Sequence, residues 1–303
     1  MQLCCTPSLE HKVHVNCQIE TLLLSLFEEA LGKACPNGAE RLIEPSSVAV
    51  ADAADPWFAR LKEVIGPFHW TPAEALALKD PAAQARSVIC WSVPLAESVR
   101  VAGRAQKDVP AKAWVLAKRQ ADGVLAYMAN GLVARLEGQG QAAVAPAALP
   151  QNVAEERPGV GWSSCWSMRH VAFVAGLGTF GISGGLITRR GMAHRLGCVV
   201  TAAEITPTPR VYGDAPFAWC LYTARGTCGT CISRCPAGSV GQGHDRRDKL
   251  ACRQQNRRIR LDSLNLYGEE GLYGCGLCQV GVPCEAGVPE GLRDGPAPAG
   301  SER

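Results

Sequence analysis

Cysteine is the residue type in this chain whose spacing points most directly to chemistry. Eight of the fifteen cysteines lie between Cys220 and Cys284. The densest stretch is Cys228-Gly-Thr-Cys231-Ile-Ser-Arg-Cys235-Pro236, spaced C-x2-C-x3-C-P. Two-cluster bacterial ferredoxins use C-x2-C-x2-C-x3-C-P, with the fourth cysteine serving the other cluster. Arg225 stands where the first of those cysteines would be, and Cys220 is the natural substitute if the intervening loop bulges. Cys252, Cys275-Gly-Leu-Cys278 and Cys284 follow. Soft thiolates suit iron–sulfur irons, and two [4Fe–4S] clusters need eight of them. The crossing rule assigns Cys220, Cys228, Cys231 and Cys284 to one cluster, and Cys235, Cys252, Cys275 and Cys278 to the other. A zinc site built from Cys228, Cys231, Cys275 and Cys278 is the competing reading, and it leaves four cysteines idle. Pro236 and the count of eight favour clusters.

A second group precedes a glycine-rich run. Trp162-Ser-Ser-Cys165-Trp166-Ser-Met-Arg169-His170 is dense in polar and aromatic side chains. His170 and Arg169 are its candidate catalytic residues, with Cys165 beside them, because a histidine can deliver a proton near neutral pH. The bland alternative packs both tryptophans in a core and leaves His170 at the end of a strand. Gly176-x-Gly178-x-x-Gly181 spells a dinucleotide fingerprint. That motif needs a helix to open at once, and Ser183-Gly184-Gly185 is poor helix material. Arg246, Arg247, Lys249, Arg253, Arg257, Arg258 and Arg260 form a basic stretch on an expected helix. It can steer a tRNA or an acidic redox partner, or simply be a solvated face.

These groups need a scaffold. The spacing predicts helices from Asn16 to about Leu31, over Pro56–Ile65 and over Ala111–Leu136, the last weakened by Gly123 and Gly131. Val48–Ala53, Ser87–Val93, Val171–Ala175 and Cys198–Ile205 read as strands. Strands alternating with helices suggest an α/β or α+β layer domain over residues 1–215. A cysteine-dominated ferredoxin-like domain is expected over 216–285, and a disordered Gly/Pro-rich tail over 286–303. The chain has 303 residues, 47% hydrophobic, with a formal charge of +3. That charge is too mild for a dedicated nucleic-acid binder. No signal-peptide pattern or membrane-length apolar run is expected, so the cytoplasm is the default location, where disulfides are rare. Cys4, Cys5, Cys17, Cys35, Cys90 and Cys198 show no ligand spacing.

Ala85-Arg86-Ser87-Val88-Ile89, the run Ala175-Gly176-Leu177-Gly178-Thr179-Phe180-Gly181, Cys235-Pro236, Cys252 and Tyr273-Gly274-Cys275-Gly276-Leu277-Cys278-Gln279 together resemble epoxyqueuosine reductase and its relatives. The resemblance spans roughly residues 87–284. It implies a nitroreductase-like corrinoid-binding domain joined to a two-cluster ferredoxin module, a plan shared with the corrinoid reductive dehalogenases. It further implies a cobalamin site against Gly176, Gly178, Gly181 and Gly184, because glycines let backbone approach a flat macrocycle. A ferredoxin or flavodoxin donor and a small, nucleoside-type or tRNA substrate would follow. Two features depart from that pattern. The family's carboxylate proton donor falls on Trp162 by ungapped counting, and no Asp lies within 161–191. The last cysteine motif is also longer, Cys278-Gln-Val-Gly-Val-Pro-Cys284. An electron carrier, or a reductive activator of a corrinoid protein without its own substrate, is the alternative function.

Overall fold

The computed structural model describes residues 7–35, 39–45, 47–241 and 247–292, with side chains from residue 18 onward. Cys4, Cys5, Arg246 and residues 293–303 of the expected tail lie outside them. In chain order the elements are α1 (Pro7–Ala34), β1 (Ser47–Asp52), α2 (Pro56–Val64), α3 (Pro72–Ala77) and β2 (Ser87–Pro94). Next come α4 (Glu97–Arg104), α5 (Lys112–Glu137), β3 (Ala143–Val144), β4 (Glu155–Arg157), β5 (Gly161–Ser163) and α6 (Met168–Val174). They are followed by β6 (Gly178–Phe180), β7 (Leu186–Thr188), β8 (His194–Thr201), α7 (Leu221–Arg225), α8 (Thr230–Ser233), α9 (Lys249–Leu261) and α10 (Ser263–Tyr267).

A four-stranded antiparallel sheet in the order β1-β2-β8-β3 divides two cores. Every residue of β2 is buried, because helices cover both faces. Ile89, Trp91 and Val93 face a core that contains Leu23, Phe27 and Leu31 of α1 and Met128 and Leu132 of α5. Val88 and Cys90 face the other core, with Trp57, Phe58 and Leu61 of α2, Leu76 of α3 and Val171–Val174 of α6. The architecture is a mixed α/β layered fold. Trp91 lies opposite Gly197 in the β2–β8 register, and a Cβ at Gly197 would stand 2.3 Å from the indole. Gly197→Ala should therefore displace a fully buried tryptophan and cost about 1–3 kcal/mol in urea unfolding. An unchanged midpoint would contradict that account.

One expected element is different in kind. Val171–Ala175, read as a strand, belongs mostly to helix α6, which begins at Met168. Its apolar run is buried on all sides, and a short run of that type does not distinguish a strand from a buried helix. Gly176, at φ +94°, turns the chain into β6. The order is thus helix–turn–strand, the reverse of what a dinucleotide fingerprint requires. The first helix also starts earlier than the Asn16 cap expected for it.

Side chains after residue 216 add to both cores. Ile259, Tyr267, Leu277 and Val280 join the α1/α5 side, while Trp219, Val240, Val282 and Val288 join the other. Residues 286–292 are packed, with Val288 buried and Arg225 donating to the Gly291 carbonyl at 2.5 Å.

Candidate metal centres and the adjoining cavity

Short helices and tight turns present the thiols. Cys220 precedes α7, which Gly226 ends in a left-handed conformation, and Cys228 and Cys231 flank the start of α8. Arg234 ties this segment to its surroundings. Its Nε donates to the Leu277 and Val280 carbonyls at 3.3 and 3.0 Å, and its Nη2 donates to Gly103 O at 3.0 Å. Between Cys275 and Cys278, Gly276 adopts φ +62°, and a Cβ there would sit 2.0 Å from the Trp114 ring. Only glycine makes that turn against the indole.

The eight thiols fall into two sets. Cys220, Cys228, Cys231 and Cys284 line a small, mostly apolar cavity with Ile182, Met192 and Val282. Cys235, Cys252, Cys275 and Cys278 line one side of a cavity of about 630 Å³. For Cys284 and Cys275 the electrostatics follow the same division. Burial and then the neighbouring Cys220, Cys231 and Cys228 push the Cys284 thiol up. Cys275 is pushed up to about 12, first by burial and also by Cys278, Cys252 and Cys235. Cys231 is raised to about 12, chiefly by burial, and the largest charge acting on it is that of Cys278 across the divide. Among the described residues, no three His, Cys, Asp or Glu side chains converge on a single-ion site. A cubane, with four irons, needs a wider cage than one ion does.

An ion-pair chain secures the loop that bears Cys284. The buried Glu285 carboxylate accepts from Arg104 Nε at 3.0 Å and Nη2 at 2.6 Å, and from Gly281 N at 2.5 Å. Arg100 Nε lies 3.8 Å from it, and Glu44 pairs with both Arg100 and Arg190. Met192 N donates to Cys284 O at 2.9 Å. No sequence motif marks this network.

The large cavity has aromatic walls in Trp114, Trp162, Trp166 and Tyr273, and cations at Lys118, Arg169, Arg195 and Arg247. No Asp or Glu lines it among the described residues. Asp122 stands behind the wall, accepting from Lys118 at 2.5 Å and Arg195 at 3.1 Å. Lys118 Nζ also lies 3.7 Å from the Tyr273 ring centre. Two buried polar atoms on lining residues, His194 Nδ1 and Trp166 Nε1, have no hydrogen-bond partner. From α9, Arg253 stacks 3.6 Å over Trp162 and Arg260 lies 5.7 Å from Tyr273, while Arg258 pairs with Asp108 at 2.8 Å.

Arg169 lines the cavity and donates to the Gly184 carbonyl. Loss of water around its head, then Arg247 and Arg195, lower it to about 10, although the side chain as a whole stays exposed at the cavity edge. His170 is not among the lining residues: its Nδ1 meets Ser167 Oγ at 2.7 Å and its ring lies 4.7 Å from Phe180. Burial and then Arg169 hold it near 3. Cys165 also lies off the lining, with Arg157 Nη2 at 3.6 Å. Gly176 and Gly178 abut backbone at Pro209 and Ile187, Gly181 borders the small cavity, and Gly184 sits against Arg247 and Arg169. Gly185, the next residue, lines the large one.

The histidines have a consequence for acid stability. Burial is the largest cause in holding His69 and His194 near 4, as it is for His170. Below the ordinary histidine value of about 6.5 the unfolded chain therefore binds more protons than the folded one, so stability falls with pH. The urea midpoint should be level above about pH 7 and drop towards about pH 5, less steeply in His170→Gln. A flat or rising trend on acidification contradicts this.

No protein-family model matches the sequence, nor does any curated protein sequence. Among solved structures, the chain is similar to epoxyqueuosine reductase from Bacillus subtilis, at 18% identity and TM-score 0.44, over 92% of this chain and 68% of that one. It is similar to an epoxyqueuosine reductase solved with an epoxyqueuosine-modified tRNA-Tyr stem loop, at 18% identity and TM-score 0.43, over 91% and 68%. A B12-dependent reductive dehalogenase is similar at 13% identity and TM-score 0.49, over 82% of this chain and 31% of that one. The chain thus spans under a third of the dehalogenase. No helix among the described residues is long and apolar enough to cross a membrane.

Proposed function

We propose that the chain is an iron–sulfur oxidoreductase that passes electrons through two [4Fe–4S] clusters to a corrinoid in the large cavity, reducing a small or nucleoside-type substrate. The observation that carries this reading is the division of eight thiols into two sets of four, the second opening onto a cavity able to hold a ligand. All-thiolate donor sets suit iron–sulfur cubanes. For the corrinoid, the fit rests on the aromatic walls, on Gly185 and on the orphaned His194 Nδ1 and Trp166 Nε1. A bound corrinoid would supply the low-valent cobalt that delivers electrons to the substrate.

This chain's own residues would do the rest. Trp114, Trp162 and Trp166 would hold the group by apolar contact and exclude water from the cavity. Lys118, Arg169 and Arg195 hold anionic groups, and Arg253 and Arg260 of α9 attract a tRNA or nucleotide. His170, held by Ser167, favours its neutral form at ordinary pH, and Arg169 lines the cavity beside it. The electron donor would be a ferredoxin or flavodoxin, and the location the cytoplasm.

The test is anaerobic purification with iron and sulfide analysis, EPR after dithionite, and cobalamin titration. About eight irons per chain and one corrinoid support the enzyme. About eight irons without corrinoid binding favour the carrier or activator. Zinc in a colourless, iron-free preparation refutes both.

A further inference from the structure

The two thiol sets differ sharply in what reaches their sulfurs. In the set facing the large cavity, Arg247 Nη2 donates to Cys252 Sγ at 2.8 Å, and Asn256 Nδ2 reaches the same sulfur at 3.7 Å. Cys235 Sγ accepts from Ser239 N at 3.3 Å and meets Ser239 Oγ at 3.2 Å. In the other set, Cys228 meets only the Thr230 hydroxyl at 3.6 Å, and Cys284 lies 3.5 Å from the Met192 thioether. No Lys or Arg among the described residues lines that smaller cavity. Arg247 is itself held in place by Ser183 O at 3.0 Å, and no carboxylate among the described residues forms an ion pair with it.

Net charge and hydrogen bonds to the sulfurs are the main protein levers on cluster potential. A guanidinium on a ligand sulfur stabilises an added electron, and neutral donors add to the effect. The geometry points to Arg247 as the residue that makes the Cys235, Cys252, Cys275 and Cys278 cage the stronger electron acceptor, so that electrons run downhill from the apolar cage to the cavity. Arg247 acts through Cys252 and is a positioning residue. The inference rests on the two-cluster reading above. Each transfer is one electron: the apolar cage is oxidised by one unit as the arginine-flanked cage is reduced by one. A one-electron donor of ferredoxin or flavodoxin class restores the first.

The experiment is an EPR-monitored potentiometric titration of the anaerobically purified full chain. The parent should show two signals, and the higher-potential one should be the signal that Cys278→Ala removes. Arg247→Gln should weaken its reduction by about tenfold, about 59 mV for a one-electron couple, and leave the other signal in place. Arg247→Lys should shift it less. Ser239→Ala, which leaves the arginine intact, should give a smaller shift of the same sign. About eight irons with neither signal moved, or with only the lower-potential signal moved, overturns the inference alone. Iron-free parent protein overturns the cluster reading and the inference together.

Discussion

Cys278→Ala protein, prepared without oxygen, should carry about four irons per chain where the two-cluster reading gives the parent about eight. Cys278 is half-buried on the Leu277–Gln279 turn, at the meeting point of the two thiol sets. Removing it leaves three of the four thiols that line this side of the cavity. Metal binding and folding are coupled where ligands come from turns with little apolar packing of their own, so the loss extends beyond the cluster. An apparent loss on the order of 5 kcal/mol is expected over the 220–284 segment. Iron analysis and limited proteolysis under nitrogen check both parts. Full iron content in the variant would remove Cys278 from the ligand set.

Glu285→Ala should lower stability by about 2–4 kcal/mol, because it removes the partner of Arg104, leaves buried Arg100 with Glu44 alone and unpins the loop that bears Cys284. For a chain of this size that corresponds to a Tm fall of roughly 3–6 °C. Glu285→Gln keeps the shape and one acceptor oxygen for Gly281 N but loses the charge, so its fall should be intermediate. Differential scanning calorimetry under nitrogen measures both, and a shift below about 1 kcal/mol for Glu285→Ala would show the ion pairs to be idle. Iron content is a second readout. Loosening Cys284 affects only the set that includes Cys220, Cys228 and Cys231.

The scaffold was legible where periodicity was strong. β1, β2 and the long helix α5 lie where alternation and helical spacing put them. Helix α6 was misread because Val-Ala-Phe-Val is apolar on every side and carries no period to distinguish helix from strand. At the candidate site, the thiols announce themselves because C-x2-C fits a single turn. The rest of the lining does not. Trp114 and Lys118 come from α5, and Arg195 from β8, so only the tertiary packing brings them to the cysteine loops. Arg234 and Glu285 escaped for a related reason: what they bind is mostly backbone and a distant helix, which leaves no spacing in the sequence. His170 drew attention by its company, yet Ser167 and Phe180 enclose it.

The thiol sets are interleaved along the chain: Cys235, Cys252, Cys275 and Cys278 all lie between Cys231 and Cys284. During synthesis the cavity-facing set is therefore finished while its neighbour still waits for one donor. On the two-cluster reading, a product truncated just short of Cys284 would keep all four donors of one cage and lack one donor of the other.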